Sequence, residues 1–295
     1  MGHGGTEKGG VTLLTLVAEP WADYALLDMG HGRKLERYGA HRLVRPEAQA
    51  MWPPAAPEWQ ADGEFVGGSD EEGGGRWTLS PKLPASWPLG FGAARFHAAP
   101  TPFRHLSFFP DMAPQWKWML SRVHAGDEIL NLFGYTGVAS LLLAAADARV
   151  THIDASKKSV DAARANAELS GLSSAPIRWL VDDAPKFVAR EVRRGKRYAG
   201  ILLDPPKFGR GREGEVWRLE SDLAPLIADC ARLLAPDARF LVLTSYAIRL
   251  SAHALDNLLS SALPAGRIEA GEMTVREEAR GLLLPTAIFA RWSFN

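Results

Sequence analysis

The stretch ILLDPPKFGRG (201–211) places an acidic residue and two prolines directly after an apolar run. Proline has no backbone N–H and cannot extend a strand, so Pro205 and Pro206 are predicted to end a strand in a rigid turn. We expect Asp204 and nearby carbonyl groups without internal partners to form an acceptor cluster that orients an amine or a nucleobase edge. Phe208 could stack on such a flat ring. The alternative is a rigid loop with Phe208 packed in the core.

A second group of chemically suggestive residues lies upstream, in NLFGYTGVAS (131–140). Gly134 and Gly137 predict a tight turn into a helix, which brings backbone close to a ligand at the helix N-terminus. Asp154 follows Gly134 by twenty residues and is placed to accept hydrogen bonds from both hydroxyls of a ribose. A plain strand–helix turn and a helix cap are the alternatives, and Ser156 could provide that cap. Turn and acid together indicate a bound nucleoside.

A third position of interest is VDDAPKF (181–187). Asp182 or Asp183 is expected near the amino group of an adenine, and one of the two is expected to cap the following helix. The three glycines of the dinucleotide fingerprint G-x-G-x-x-G are not present at the first turn, which disfavours a nicotinamide dinucleotide.

These residues must be held by a sheet, and the apolar pattern predicts one. From residue 115 onwards, short apolar runs alternate with amphipathic helical stretches, which predicts an α/β, Rossmann-like, doubly wound and mostly parallel sheet. Ligands of such sheets bind beyond the carboxyl ends of the strands. Residues 1–110 are rich in Pro, Gly and Trp, and they predict a small β-rich N-terminal domain whose first ten residues are flexible. The second domain is predicted to span 111–295.

Composition narrows the classes of protein. The chain of 295 residues has 34 basic and 34 acidic residues, so its formal net charge is zero, which disfavours a general polyanion binder but leaves local basic faces at 190–197 and 207–212. No apolar run reaches the roughly 18–20 residues of a membrane span. The only cysteine, Cys230, excludes an internal disulfide and suggests a cytoplasmic location. The eight histidines show no metal-ligand spacing, and no metal is expected.

The motifs ILNLFGYTG, HIDASKKSVDAARANAELSGL, VDDAPKFV and ILLDPPKFGRG closely resemble those of class I S-adenosylmethionine-dependent methyltransferases. The most similar group is the 23S rRNA large-subunit methyltransferases of the cytosine carbon-5 type and their relatives. YALLDMGHGRKLERYGAHRLVRPEAQAMW and LSFFPDMAPQWKWM resemble the N-terminal β-domain of that group and its connection to the catalytic fold. The resemblance covers about residues 20–295.

The resemblance implies S-adenosyl-L-methionine as cofactor and a role for each motif. Cofactor binding is assigned to Asn131, Phe133, Gly134, Tyr135, Thr136 and Gly137 around the methionine part, Asp154, Ala155 and Ser156 at the ribose, Asp182 and Asp183 at the adenine, and Phe109 and Gln115 closing from the N-terminal side. The target site is assigned to Asp204, Pro205, Pro206, Lys207 and Phe208, with Asp204 also touching the cofactor. Arg210 and Arg212 are expected to supply positive charge at the rim.

The sequence departs from the cytosine carbon-5 group in one respect. Methylation at that carbon needs a cysteine thiolate to attack the ring, and neither LVLTSYAI nor DPPKFG contains cysteine. Cys230 lies in the apolar helical stretch LIADCARLL, where a buried structural thiol is expected. A nitrogen or oxygen acceptor needs only alignment and a destination for its proton.

We therefore predict a methyltransferase acting on RNA, with ribosomal RNA favoured, at a nitrogen or another position than carbon 5. The chain is expected to be a monomer or homodimer, without a membrane or metal partner. The alternatives are a cofactor-binding RNA or assembly factor without catalysis, a methyltransferase of a small molecule or protein, and a nicotinamide oxidoreductase.

Overall fold

The computed structural model describes residues 13–67, 74–211, 214–246 and 249–294. Its main feature is an eight-stranded sheet whose first five strands, in spatial order, are parallel. From one edge to the other the strands are β11 (Ile177–Val181), β10 (Arg149–Asp154), β9 (Glu128–Leu132), β12 (Gly200–Leu203), β15 (Phe240–Tyr246), β17 (Leu283–Ser293), β16 (Arg267–Arg276) and β1 (Leu14–Ala18). Strand β17 runs antiparallel to both of its neighbours. The predicted Rossmann-like fold class is confirmed.

Helices connect the parallel strands and cover both faces of the sheet. They are α1 (Ala113–Leu120), α2 (Val138–Ala145), α3 (Lys157–Leu169), α4 (Ala184–Arg193), α5 (Leu219–Leu233) and α6 (Ala252–Ala262), with a 3₁₀ turn at Pro110–Met112 before α1. They alternate with the strands, as the pattern of apolar runs and amphipathic stretches predicts. None of the helices in the described parts of the chain is long and apolar enough to cross a membrane.

The core forms two apolar clusters, one on each face of the sheet. In β12, Leu202 belongs to one cluster, and its neighbours Ile201 and Leu203 belong to the other, because successive strand side chains point to opposite faces. A strand buried on both faces therefore reads as a continuous apolar run, which is the pattern of parallel strands.

The N-terminal residues form β-structure, as predicted. One sheet contains β2 (Tyr24–Gly30), β3 (Arg33–Tyr38), β4 (His41–Pro46), β5 (Gly63–Val66) and β6 (Arg76–Leu79), and a separate hairpin contains β7 (Trp87–Phe91) and β8 (Ala94–Ala98). Their strands pair antiparallel except for β4 and β5, which pair in parallel. The residues 1–10, which were predicted to be flexible, lie outside the described residues, and so does most of the acidic loop between β5 and β6.

Strand β1 lies in the large sheet and not in the N-terminal β-sheet. It pairs in parallel with β16, with Leu14 opposite Gly271. A Cβ atom at Gly271 would lie 1.7 Å from the Leu14 carbonyl oxygen, so this pairing requires glycine. The first strand thus crosses the domain division predicted near residue 110, and that division itself stays a prediction.

The N-terminal sheet is joined to the large sheet by polar contacts. The backbone N–H of Met29 donates to Glu277 Oε1 at 3.0 Å, and Arg280 Nη2 donates to the Met29 carbonyl at 2.7 Å. Because Glu277 is buried, these bonds satisfy a carboxylate that would otherwise be costly to bury.

Candidate functional site

The candidate site lies where the order of the strands reverses. The chain proceeds from β9 outwards to β10 and β11 and then returns to β12 on the other side of β9. This switch leaves a crevice between the carboxyl ends of β9 and β12, which is where sheets of this kind bind ligands. A cleft of about 520 Å³ opens there, lined by the residues 133–139 after β9, by Leu203 at the end of β12 and Asp204 just after it, and by Phe108, Phe109 and Met112.

The glycine turn after β9 is shaped by a polar chain beneath it. Asn131 Nδ2 donates to Ser140 Oγ at 2.8 Å, and Ser140 Oγ lies 3.0 Å from His152 Nδ1. A Cβ atom on Gly134 would lie 2.4 Å from the His152 ring, so only glycine fits between the turn and this buried histidine. Burial lowers the pKa of His152 to about 3, so the ring is neutral and serves as a spacer.

The backbone of this turn has an unusual conformation. Phe133, Tyr135 and Gly137 have φ angles of 58°, 49° and 84°. Non-glycine residues in this region are rare and cluster at ligand sites, because the surrounding structure must hold them there. The Tyr135 N–H donates to Asp154 Oδ2 at 2.9 Å, and Asn166 Nδ2 donates to the Thr136 carbonyl at 2.9 Å. These bonds fix a concave turn at the start of α2.

Asp154 ends β10 beside this turn, as the sequence predicts. Its second carboxylate oxygen, Oδ1, accepts the Ser156 N–H at 2.8 Å, and Ser156 in turn caps α3 by accepting the Ser159 N–H. Each carboxylate oxygen has two lone pairs, so both oxygens can still accept a hydroxyl group. Burial raises the pKa of Asp154. Ala155 lies between these two residues and shares their position at the strand end.

The two aspartates after β11 have different environments. Asp183 caps α4 by accepting the Lys186 N–H at 3.0 Å. Asp182 accepts the Asp183 N–H at 2.9 Å through Oδ1 and forms an ion pair with Arg190 through Oδ2. The expectation that one of the pair caps the helix therefore holds for Asp183. A contact of either residue with an adenine stays a prediction.

The DPPKF segment after β12 is more ordered than the sequence indicates. It leads into a short hairpin of β13 (Phe208–Arg210) and β14 (Val216–Arg218). The Pro206 carbonyl accepts Trp217 Nε1 at 2.6 Å, and the Lys207 carbonyl accepts the Leu219 N–H at 3.0 Å. The expectation that the carbonyls of this turn lack internal partners is therefore wrong for these two.

The hairpin presents an aromatic ring to solvent. The Phe208 side chain is 50% exposed, so it is not packed in the core. The guanidinium groups of Arg210 and Arg218 lie 6.0 and 5.9 Å from its ring centre. Arg212, the other rim residue expected from the sequence, lies outside the described residues. Pro205 is buried beneath the turn, and Pro206 and Lys207 are exposed.

Asp204 has the most perturbed acidity in the cleft. Burial, together with the nearby Asp111 carboxyl, raises the pKa of Asp204 to about 8. Asp111 is itself buried in the 3₁₀ turn, and burial also raises its pKa. Two carboxyl groups that resist simultaneous ionisation in a cleft are typical of functional sites.

The segment before α1 closes the cleft from the N-terminal side. The centre of the Phe109 ring lies 5.2 Å from the centre of the Tyr246 ring and 6.0 Å from that of Tyr135. The centre of the His105 ring lies 5.3 Å from that of Phe109. Phe109 thus lines the cleft, as the resemblance implies. Gln115 is buried in α1, is not among the cleft-lining residues, and accepts a hydrogen bond from Arg291 Nη1 at 3.1 Å.

Sequence reasoning missed several residues that the fold brings to the site. They are His105, Asp111, Trp217, Arg218 and Tyr246. Asp111 was quoted within the motif LSFFPDM, and a buried acid directly after Pro110 is the signal that could have identified it. The other four depend on tertiary contacts.

A second, larger cleft of about 800 Å³ lies at the opposite end of the sheet. It is lined by the beginnings of β10 and β11 and by residues 196–198, and it contains no glycine turn. Because ligands of doubly wound sheets bind at the carboxyl ends of the strands, we assign the functional site to the smaller cleft.

The cleft at the switch point suits a nucleoside cofactor that carries an amino acid. The glycine turn offers backbone close to a ligand, Asp154 offers hydroxyl acceptors, and Phe109 and Phe133 offer apolar walls. In the described parts of the chain, no group of three or more His, Cys, Asp or Glu could hold a metal ion. Fold and site thus define a Rossmann-like protein that binds a nucleoside-type cofactor at its topological switch point.

Comparison with known proteins then identifies the family. The structure superposes on the crystal structure of an S-adenosylmethionine-dependent methyltransferase from Agrobacterium tumefaciens with a TM-score of 0.91 and 43% sequence identity, over 96% of this chain and 94% of the other. The chain belongs to the S-adenosylmethionine-dependent methyltransferases, and its cofactor is S-adenosylmethionine. The predicted family and cofactor are confirmed, and the oxidoreductase alternative is wrong. No family model matches the chain.

Curated relatives match only part of the chain. A ribosomal RNA large subunit methyltransferase K/L from Shewanella frigidimarina is 32% identical over 118 residues, 39% of this chain and 16% of the relative. A ribosomal RNA large subunit methyltransferase I from Klebsiella pneumoniae is 36% identical over 88 residues, 30% of this chain and 22% of the relative. The chain therefore spans less than a quarter of the length of these two relatives.

The acidity of Asp204 predicts a pH-dependent stability. An unfolded aspartate loses its proton near pH 4, whereas folded Asp204 keeps it up to about pH 8, so folding stability falls as the pH rises through this window. At pH 9 we expect Asp204→Asn to unfold at a higher temperature than the parent, because its free energy of unfolding should be larger by at least about 1–2 kcal/mol. At pH 4 the free energies of unfolding of the two proteins should be nearly equal. Thermal unfolding across this range measures the difference. A gain that is independent of pH would contradict the assigned acidity.

The position of Cys230 predicts that it has no role in catalysis. It is fully buried in α5, within the apolar cluster, and burial raises the pKa of its thiol. Cys230→Ser should cost about 1–3 kcal/mol of stability, since a hydroxyl enters an apolar site, and should leave methyl transfer intact. Cys230→Ala separates the effect of polarity from that of the lost sulfur. A covalent complex with RNA containing 5-fluorocytosine, lost in Cys230→Ser, would overturn this prediction and restore carbon-5 chemistry.

Proposed function

We propose that this protein transfers a methyl group to a nitrogen of RNA, with ribosomal RNA the favoured substrate. The observation that carries the proposal is the position of Asp204, which lines the cofactor cleft and stands four residues before the exposed Phe208. One face of the site thus binds the cofactor, and the adjoining face offers a polar group and a stacking surface to a second, flat ligand.

The residues of the chain supply alignment and a proton acceptor. S-adenosylmethionine, when bound, supplies an electrophilic methyl group on a sulfonium. The turn at 133–137 with Asp154 would hold its amino-acid and ribose parts. A nitrogen that gains a methyl group and carries a proton must lose that proton, and the Asp204 carboxylate, with its pKa raised to about 8, is a suitable base near neutral pH.

A nitrogen target agrees with the cysteine content of the chain. Carbon-5 methylation of cytosine needs a thiolate nucleophile, and the only cysteine of the sequence is buried in α5. Nitrogen methylation needs no covalent intermediate, so the groups of the cleft suffice.

Two observations support RNA as the substrate. The curated relatives from Shewanella and Klebsiella carry names of ribosomal RNA methyltransferases, although the chain covers only part of them. The hairpin beside the cleft carries Phe208 between Arg210 and Arg218, which is an arrangement that binds bases by stacking and phosphates by charge. An RNA substrate also agrees with the cytoplasmic location that the single cysteine suggests.

Mapping of modified nucleosides tests the substrate directly. Ribosomal RNA from a strain that lacks the gene should lack one methylated nucleoside, and the purified protein with S-adenosylmethionine should restore it in that RNA. Methyl transfer to small molecules or proteins of the same extract, with none to RNA, would favour the other acceptor classes. No transfer at all despite cofactor binding would favour a non-catalytic RNA or assembly factor.

The hairpin predicts a salt-dependent RNA affinity. Because both guanidinium groups are exposed beside the cleft, we expect Arg210→Ala with Arg218→Ala to weaken RNA binding and to reduce the slope of log affinity against log salt by up to about two. Phe208→Ala should weaken binding by about 1–3 kcal/mol and leave the slope unchanged, because stacking releases few counterions. Fluorescence-anisotropy titrations at several salt concentrations measure both effects.

The matched control removes two exposed arginines at the opposite end of the sheet. Arg232 ends α5 and Arg267 begins β16, so neither lies near the cleft. The Arg232→Ala, Arg267→Ala variant should keep the parental slope. An equal loss in both double variants would mean that the RNA binds by overall charge and not at the hairpin.

A further inference from the structure

Three polar groups lie at or beside the cleft at the carboxyl end of the sheet, and two of them were not assigned by sequence or resemblance. Asp204 ends β12 and lines the cleft, Asp111 lies in the 3₁₀ turn that precedes α1, and Tyr246 ends β15, the strand next to β12. The Phe109 ring, which lines the cleft, packs 5.2 Å from the Tyr246 ring. The three groups thus come from three elements that converge at the carboxyl end of the sheet.

The groups are close enough to influence one another. Burial raises the pKa values of Asp204 and Tyr246, the Asp111 carboxyl raises both further, and the charge of Asp204 also raises that of Tyr246. The charge of Lys34 lowers the pKa of Asp111, but this effect does not outweigh burial. The cluster therefore holds more carboxyl groups than nearby cations can balance, and it favours a ligand that brings hydrogen-bond donors.

Two atoms of the cluster have unused hydrogen-bonding capacity. Asp111 is 4% exposed, and its Oδ2 atom has no hydrogen-bond partner within 3.5 Å among the described residues. The Tyr246 hydroxyl is likewise buried and without a partner at that distance, and the Asp111 carboxyl is a polar neighbour that acts on it. Each carboxylate oxygen and the hydroxyl can therefore take a further hydrogen bond from a ligand, and buried polar atoms left without one are costly.

We propose that Asp111 and Tyr246 are positioning residues that, with Asp204, bind the amino-bearing edge of the methyl-accepting nucleobase. This inference rests on the proposed function, since it assigns the acceptor side of the same site. An exocyclic amine of adenine, cytosine or guanine donates hydrogen bonds that carboxyl oxygens accept. Uracil presents a carbonyl oxygen on each side of its single ring N–H, and these oxygens would face the ionised carboxylate of the pair unfavourably. The triad therefore selects amine-bearing bases over uracil.

Nucleotide binding tests the triad without requiring methyl transfer. Adenosine, cytidine, guanosine and uridine monophosphates are titrated by nuclear magnetic resonance into the protein saturated with S-adenosylhomocysteine, which blocks the cofactor site. We expect the parent to bind at least one amine-bearing nucleotide about fivefold or more tightly than uridine monophosphate. Asp111→Asn and Tyr246→Phe should lose this preference and keep the affinity for S-adenosylhomocysteine, because neither group is assigned to the cofactor.

Matched controls lie at the opposite end of the sheet. Tyr198→Phe removes a buried hydroxyl near the start of β12, and Asp127→Asn alters a carboxylate just before β9. Both should keep the parental preference. Should Asp111→Asn fail to fold, Tyr246→Phe decides the question.

Two outcomes would overturn the triad. One is equal binding, or no binding, of all four nucleotides by the parent. The other is a preference that Asp111→Asn and Tyr246→Phe retain. Failure of the proposed function is a separate result: a parent that prefers amine-bearing nucleotides but methylates no RNA would refute the RNA substrate and leave the triad in place.

Discussion

Asp204→Ala is expected to abolish methyl transfer while the protein still binds S-adenosylmethionine. The carboxyl is the polar group that lines the cleft on its β12 side, and its pKa of about 8 allows it to exchange a proton near neutral pH. Loss of a general base typically lowers a rate by about 10²–10⁴-fold. Single-turnover transfer to RNA from the deletion strain measures the rate, and calorimetry measures cofactor affinity.

The variants around this position separate chemistry from structure. Asp204→Asn keeps the size of the side chain and its ability to orient an acceptor, but it cannot take a proton, so its rate should fall almost as far. Asp127→Ala is the matched control, because this carboxylate lies at the opposite end of the sheet. Full activity in Asp204→Ala would remove the DPPKF segment from the chemistry.

Asp154→Ala is expected to weaken cofactor binding by about 1.5–3 kcal/mol, which corresponds to roughly 10- to 150-fold in affinity. The carboxylate accepts the N–H groups of Tyr135 and Ser156, so its removal both takes away the predicted ribose contact and releases the strained turn. Calorimetric titration with S-adenosylhomocysteine measures the loss without turnover.

A neighbouring aspartate provides the control for this loss. Asp161 is exposed on α3 and forms an ion pair with Lys157, so Asp161→Ala changes the local charge without touching the turn. It should bind the cofactor as the parent does. If Asp154→Ala also binds as tightly as the parent, the assignment of Asp154 to the ribose is wrong.

The family comparison confirms more of the predicted function than the geometry alone could. The fold class followed from the alternation of apolar and helical stretches, and family and cofactor followed from the resemblance of motifs at the ends of strands, where short segments must satisfy strict steric conditions. Gly134 illustrates this, since the His152 ring behind it leaves no space for a Cβ atom. The acceptor, by contrast, contacts side chains from several elements, and no single motif specifies it. The roles of individual site residues and the domain division therefore stay predictions.

The hairpin after β12 shows where local reasoning was insufficient. The sequence KFGRG predicts a loop with unpaired carbonyls, but Trp217 reaches back to the Pro206 carbonyl and packs 5.1 Å from the Phe133 ring. That contact joins the target segment to the cofactor turn. A pairing between residues eleven positions apart across a loop leaves no periodic signal in the sequence.

The sequence by itself determined the alternation of strands and helices from residue 115 onwards, apart from the hairpin of β13 and β14. Buried parallel strands require continuous apolar runs, and Gly134, Pro205 and Pro206 act through covalent constraints that hold in any context. Only the tertiary structure decided that β1 would join the large sheet beside β16, and that Asp111 and Tyr246 would come close to Asp204. The physical reason is that strand pairing and the acidity of a buried carboxyl depend on neighbours distant in the chain, whereas turns and strand ends depend on adjacent residues.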